Sequence, residues 1–223
     1  MSEAFRLEGV RVRLGGVPVL EVEALAIPAG AVTLLTGPNG SGKTTLLRVL
    51  AGLLAPERGS VVHMGAPLPF GKAGLPHRRR VTMLSQSPFL FSGSVLFNVG
   101  YGLRARGVER DEAEERARAA LEAAGLAHLG VRSAHALSGG ERKRVALARA
   151  MACGAGTLLL DEPTAEVDRE SAERLRADIV SSAATGKTLV VSTHQAEWGR
   201  GAAEGEIRLE HGRVAPSPGP PGL

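Results

Sequence analysis

Apolar and basic residues alternate along Phe5-Arg6-Leu7 and again along Val10-Arg11-Val12-Arg13-Leu14. A period of two is the mark of a half-exposed β-strand, and residues 4–36 read as β-rich. Val32-Thr33-Leu34-Leu35-Thr36 is more continuously apolar, as a buried strand is, and runs straight into glycines. After Lys43 the period changes. Thr44-Thr45-Leu46-Leu47-Arg48-Val49-Leu50-Ala51 has helical spacing and stops at Gly52, so the order is strand, glycine loop, helix. Val81-Thr82-Met83-Leu84-Ser85 is a second buried strand.

Residues 88–136 have a different texture. Asp111 to Ala124 predicts an amphipathic helix with Ala113, Ala117, Ala120, Leu121 and Ala124 on one face. Glu112–Arg116 and Glu114–Arg118 are favourable i,i+4 pairs, and Gly125 ends the helix. This segment reads as a helical lobe inserted between core strands. After Leu137 the pattern gives helix 141–151, strand 157–161, helix 169–182, strand 188–193 and a hairpin at 206–214 turning at His211-Gly212. Strands alternating with helices predict a parallel sheet with helices on both faces. The expected organisation is a single domain over 1–214, with core and β-subdomain in 1–87 and 137–214 and the helical subdomain in 88–136. The Pro/Gly-rich stretch 215–223 is expected to be disordered.

Composition narrows the class. The net charge of +4 on 223 residues is a weak signal for anionic partners, and no nucleic acid is expected. Aromatics are 3%, so Leu, Val, Ile and Ala must build the core. Cys153 is the single cysteine, which excludes an internal disulfide. The N-terminal residues lack the apolar core of a signal peptide, and no run approaches the roughly 18 apolar residues of a membrane span.

The candidate chemistry begins at Gly37-Pro38-Asn39-Gly40-Ser41-Gly42-Lys43-Thr44, followed by Thr45. It fits G-x-x-x-x-G-K-[ST] between a strand and a helix, as a phosphate-cradling loop requires. Backbone N–H groups and the helix N-terminus would face phosphate oxygens; Lys43 would reach the β- and γ-phosphates, and Thr44 would bind Mg²⁺. Leu158-Leu159-Leu160-Asp161-Glu162 ends a buried strand in two carboxylates. Asp161 would hold Mg²⁺ and Glu162 would take a proton from the attacking water, although the pair alone could equally be an acidic helix cap. Ser138-x-x-Glu141 has the form of a capping box. It is also a second helix tip suited to phosphate, with the Ser138 hydroxyl and Gly140 N–H aimed at a γ-phosphate. Two such tips in one short chain suggest a nucleotide clamped between two subunits. Gln86, at a strand end, can touch Mg²⁺ or the attacking water; a surface glutamine is the plainer reading. His194 follows a core strand at the sheet edge of Glu162 and would contact the γ-phosphate.

Together these residues resemble the ATP-binding cassette family, in order and over about residues 4–214. Gly37–Thr44 resembles its Walker A loop, Gln86 its Q-loop, Leu137–Glu141 (with Gly139) its signature, Leu158–Glu162 its Walker B, Asp168 its D-loop aspartate and His194 its switch histidine. The resemblance implies an α/β P-loop NTPase (RecA-like) core with an antiparallel β-subdomain and an inserted helical subdomain. It also implies a head-to-tail homodimer with two ATP molecules between the copies, Ser138 and Gly140 reaching across. Departures are Leu14 where an adenine-stacking aromatic is usual, Glu166 within Ala165-Glu166-Val167-Asp168, and Gln195 after the switch histidine.

The implied function is an ATPase subunit powering a membrane transporter from the cytoplasmic face of the inner membrane, bound there peripherally. The region Gln86–Leu103 would contact an integral membrane permease. That segment looks like bacterial importer ATPases, most like the tungstate/molybdate-type oxyanion group, whose complexes add a solute-binding protein. The alternatives are an exporter ATPase and a non-transport ATPase of the same family in DNA repair or translation.

Overall fold

The structure is a computed structural model that describes residues 2–194 and 203–215. Gln195 and residues 216–223 of the expected tail lie outside the described residues. The chain separates into two compact units. One takes residues up to Met83, Gly156–Glu162 and residues from Ala183 on; the other takes Leu84–Ala155 and Pro163–Ser182.

The first unit opens with β1 (Glu3–Leu14) and β2 (Val17–Pro28). The two alternating stretches are thus one long strand. It turns into β2 through Gly15 and Gly16, both at positive φ (+58° and +83°), the conformation a two-residue hairpin turn demands. Then come β3 (Val32–Thr36), α1 (Lys43–Leu50), β4 (Arg58–His63), β5 (Ala66–Pro67), the short α2 (Leu75–Arg80) and β6 (Val81–Leu84). An antiparallel sheet has the order β2-β1-β4-β5.

The second unit is helical. It holds α3 (Val95–Arg104), α4 (Arg110–Ala123), α5 (Gly139–Ala152) and α6 (Arg169–Ala183). The first unit is completed by β7 (Thr157–Asp161), β8 (Thr188–Ser192), β9 (Gly205–Glu210) and β10 (Arg213–Val214). The six-stranded sheet has the order β10-β9-β3-β8-β7-β6. Its centre is parallel: β3 lies between β8 and β9, and β7 pairs with β8 in a register that sets Asp161 beside Ser192.

Leu46, Leu47, Val49 and Leu50 of α1 are fully buried in one core with Phe5, Leu7, Leu20 and Ile27 of the antiparallel sheet and Leu35, Leu159 and Val190 of the parallel sheet. Burial of this apolar surface, about 25 cal/mol per Å², anchors the helix that carries the glycine loop. The C-terminal end of α1 is closed by a side chain, the buried His77 meeting the Leu50 carbonyl at 2.9 Å. His77 stands edge-on to the buried His63, centroids 4.9 Å apart. Burial first, then the neighbouring His77 and Arg80, lowers the His63 pKa to about 4; burial lowers that of His77 as well.

In the helical unit, Val95, Val99 and Leu103 of α3 pack with Ala113, Ala117 and Leu121 of α4 and with α5. A Cβ on Gly100 would lie 3.4 Å from the Ala113 carbonyl oxygen, so the two helices approach closely. The expected i,i+4 pairs of α4 are present at 3.4 Å (Glu112–Arg116) and 2.5 Å (Glu114–Arg118). Arg144 of α5 ties to Asp178 of α6 at 2.8 Å.

Candidate active site

The loop 37–42 leaves the C-terminal end of β3 and feeds α1. A Cβ on Gly37 would come within 2.1 Å of the Leu209 carbonyl oxygen in β9, and one on Gly42 within 2.9 Å of the Val19 carbonyl oxygen in β2. Gly212 N–H donates to the Ser41 carbonyl at 3.0 Å. The loop is therefore wedged between the two hairpins, with Pro38, Asn39 and Gly40 exposed at its rim. The α1 N-cap, Gly42, supplies no side-chain cap and the first turn no acidic residue. The other helices of eight or more residues each have a capping side chain or acidic residues there. The free N–H groups and positive helix end of α1 thus remain for an anion.

Within this loop Ser41 Oγ is buried and has no hydrogen-bond partner among the described residues. Such a hydroxyl points to a polar ligand. Lys43 is 6% exposed, and its Nζ donates to the carbonyls of Gly37 (2.9 Å) and Pro38 (3.1 Å). Thr45 is buried in the same turn.

The end of β7 brings two carboxylates to this loop. Asp161 Oδ2 accepts from Thr44 Oγ1 at 2.7 Å, and Asp161 Oδ1 accepts from Ser192 Oγ at 2.6 Å. Glu162, the next residue, has φ +43°, and its N–H donates to Ser192 Oγ at 2.9 Å. The two adjacent carboxylates take different partners. Glu162 Oε1 lies 3.7 Å from Lys43 Nζ, and Oε2 lies 2.7 Å from His194 Nδ1. Lys43, Thr44, Asp161, Glu162 and His194 are thus brought together. Leu14, 44% exposed, sits at the tip of the β1–β2 hairpin opposite Val17.

The helical unit carries the rest. Ser138 Oγ accepts from Glu141 N–H at 3.2 Å while Glu141 Oε2 accepts from Ser138 N–H at 2.8 Å, a complete capping box. The bond from Ser138 N–H holds the Glu141 carboxyl below its usual pKa. The Ser138 O–H remains as a donor, so cap and phosphate contact are compatible. Gly139 is exposed and Gly140 buried. A Cβ on Gly140 would fall 2.4 Å from Ser171 Oγ of α6, so glycine is needed there for helix packing as well. Asp168 Oδ1 accepts from Ser171 N–H at 2.9 Å, which caps α6 and lowers the Asp168 pKa. Gln86, half-buried after β6, donates from Nε2 to Glu166 Oε1 at 3.1 Å.

Two residues escaped the sequence reading. Ser192 fixes both the carboxylate of Asp161 and the backbone of Glu162. Its only signal is a hydroxyl ending an apolar strand, and the β7–β8 register that gives it meaning is invisible in one dimension. Glu166 was legible only as an unaccounted charge.

A hard divalent cation needs oxygen ligands. Thr44 Oγ1 and Asp161 Oδ2 converge beside the phosphate loop. Among the described residues no group of three or more His, Cys, Asp or Glu could hold a metal ion. One hydroxyl and one carboxylate suit Mg²⁺, which takes few protein ligands and completes its shell with phosphates and water, and do not suit a site built like structural zinc.

The sequence model of the family described as "ABC transporter" matches residues 20–165. The tungstate uptake system ATP-binding protein TupC of Peptoclostridium acidaminophilum is 38% identical over 206 residues, covering 92% of this chain and 94% of TupC. The nickel import ATP-binding protein NikO of Rhodobacter capsulatus is 37% identical, covering 96% of this chain and 89% of NikO. Among solved structures, a dimeric post-hydrolysis state of the ATP-binding cassette MJ0796 with ADP and phosphate superposes with a TM-score of 0.85 at 29% identity. It covers 95% of this chain and 97% of that one.

Proposed function

This chain belongs to the ABC transporter family of ATP-binding cassettes, and from that premise we propose that it is the ATP-hydrolysing motor of a bacterial solute importer. It is an ATPase, binding ATP and releasing ADP and phosphate. The observation that carries the residue assignment is the pairing of Glu162 with His194 at 2.7 Å beside the buried Lys43.

The loop Gly37–Thr45 binds the triphosphate through backbone N–H groups and Lys43. Thr44 and Asp161 hold Mg²⁺, whose charge offsets that of the phosphate oxygens when it is bound. Glu162 accepts a proton from water as the water oxygen bonds to the γ-phosphorus and the bond to the ADP oxygen breaks. Its carboxylate is held on both sides, by Lys43 and His194, so little reorganisation is needed. His194 contacts the γ-phosphate, Gln86 the metal or attacking water, Leu14 the base. The partner's Ser138, Gly139 and Gly140 cover the γ-phosphate in a head-to-tail homodimer, with Asp168 at the interface.

Coupling to a permease fits the segment after Gln86. Four of the seven aromatic residues, Phe89, Phe91, Phe97 and Tyr101, lie within 13 positions. They form a chain of ring contacts from 4.2 to 6.0 Å with Phe89 69% exposed. Apolar aromatic surface left in solvent is characteristic of a docking site. The fully buried Asn98 pins the segment, accepting from Phe91 N–H (2.7 Å) and donating to the carbonyls of Phe91 and Ser94 (both 3.0 Å). No helix among the described residues is long and apolar enough to cross a membrane. In this reading the permease holds the chain peripherally, at the cytoplasmic face of the inner membrane. A solute-binding protein completes the complex. Likeness to TupC favours tungstate or a related oxyanion as the cargo.

Glu162→Gln is expected to keep ATP affinity, lower turnover by at least about a hundredfold and trap an ATP-bound dimer. Nucleotide binding, phosphate release and mass in solution are the measurements. Wild-type turnover in this variant would remove Glu162 as the base.

A further inference from the structure

Glu166 has a backbone φ of +59°, a region that disfavours any residue with a side chain. The conformation is held from both sides. Lys143 Nζ donates to the Ala165 carbonyl, and Asp168 is fixed by its bond from Ser171 N–H. So held, the exposed Glu166 carboxylate accepts from Gln86 Nε2 at 3.1 Å.

A carboxylate can only accept, so it selects the NH₂ end of an amide. The two ends of a glutamine amide are nearly isosteric, and an unanchored one can present either. Presented to a cation, the NH₂ end repels and the carbonyl end binds. We propose that Glu166 is a positioning residue that fixes the amide of Gln86, so that its carbonyl oxygen, not its NH₂ group, is offered to the metal or the attacking water. The inference rests on the role assigned to Gln86 above. It also accounts for a glutamate in a strained conformation, where alanine would leave the amide unanchored.

The test compares Gln86→Ala, Glu166→Ala, Glu166→Gln, Glu166→Gly and the double Gln86→Ala/Glu166→Ala. Two quantities are read: ATP turnover, and Mn²⁺ affinity in the presence of a non-hydrolysable ATP analogue, from the free-ion electron paramagnetic resonance signal. The net loss of one exposed hydrogen bond sets the scale. Glu166→Ala is expected to weaken Mn²⁺ binding and lower kcat by roughly three- to tenfold with the KM for ATP unchanged. Glu166→Gln, whose carbonyl can still accept from Gln86, recovers most of the loss. The double variant is no worse than Gln86→Ala alone. Glu166→Gly, which adopts the same φ freely, must behave as Glu166→Ala, separating side chain from backbone. Losses that multiply in the double variant, or a Glu166→Ala protein equal to wild type, overturn the inference and leave the role of Gln86 standing. If Gln86→Ala alone leaves both quantities unchanged, the role assigned to Gln86 fails and the inference fails with it.

Discussion

Single side chains decide what the site reads. Leu14 faces Val17 across the hairpin tip, and two residues further along β2, Val19 lies against Gly42 of the phosphate loop. A base seated at this tip, as proposed, would meet aliphatic surface. Such contact removes apolar surface from water but cannot favour one purine face over another, whereas a ring would add about 1 kcal/mol of stacking. GTP is therefore expected to be hydrolysed with kcat/KM within about fivefold of ATP, and Leu14→Tyr to lower the KM of both nucleotides by roughly fivefold while leaving their ratio unchanged. Steady-state kinetics with each nucleotide measures both. The roles proposed for Lys43, Thr44, Asp161 and Glu162 could be read in one dimension because contiguous motifs carry them. Those of Ser192 and Glu166 could not, because each depends on a partner 30 or 80 positions away.

Elements were legible where one signal dominated. The strand at 157–161 is uniformly apolar and ends in charge, and its bounds are those expected. The helix now seen as α3 was not foreseen. Gly100 and Gly102 lower its intrinsic propensity, and the exposed aromatic residues Phe97 and Tyr101 interleave with its buried stripe of Val95, Val99 and Leu103, which blurs the helical period. Its capping Ser94, which accepts from Phe97 N–H at 3.1 Å, was the available clue. The strands β4 and β5 and the short α2 went unassigned for similar reasons, being brief and mostly polar. At the start of α5 two adjacent glycines differ physically. Gly139→Ala meets only the Glu166 carbonyl oxygen at 3.8 Å, while Gly140→Ala collides with Ser171. Gly140→Ala is expected to cost on the order of 1–3 kcal/mol of stability and Gly139→Ala less than about 1 kcal/mol. Denaturant midpoints of the two variants check this.

For the molecule as a whole, stability should depend on acidity through the buried histidines. The unfolded chain binds a proton at His63 near pH 6.5, the folded chain only near pH 4, because burial, His77 and Arg80 disfavour the charged ring. Above pH 6.5 the contribution is complete. It is lost as pH falls from there through about 4, with no further loss below. About 2–3 kcal/mol is expected to disappear across that window, and His63→Phe should flatten the dependence. Urea unfolding at pH 7 and pH 4 measures the difference.

The wedging of the phosphate loop by β9 and the turn at Gly212 bears on how the protein is made. A ribosome delivers residues in order, and domains form as their segments emerge. Residues 32–42 appear early, yet β3 gains its second neighbour only with 205–208, and the loop meets its last backbone support only with Gly212. Competence to hold a nucleotide is therefore acquired only once residues 205–212 have emerged, and a nascent chain stalled before residue 205 should pass ATP by.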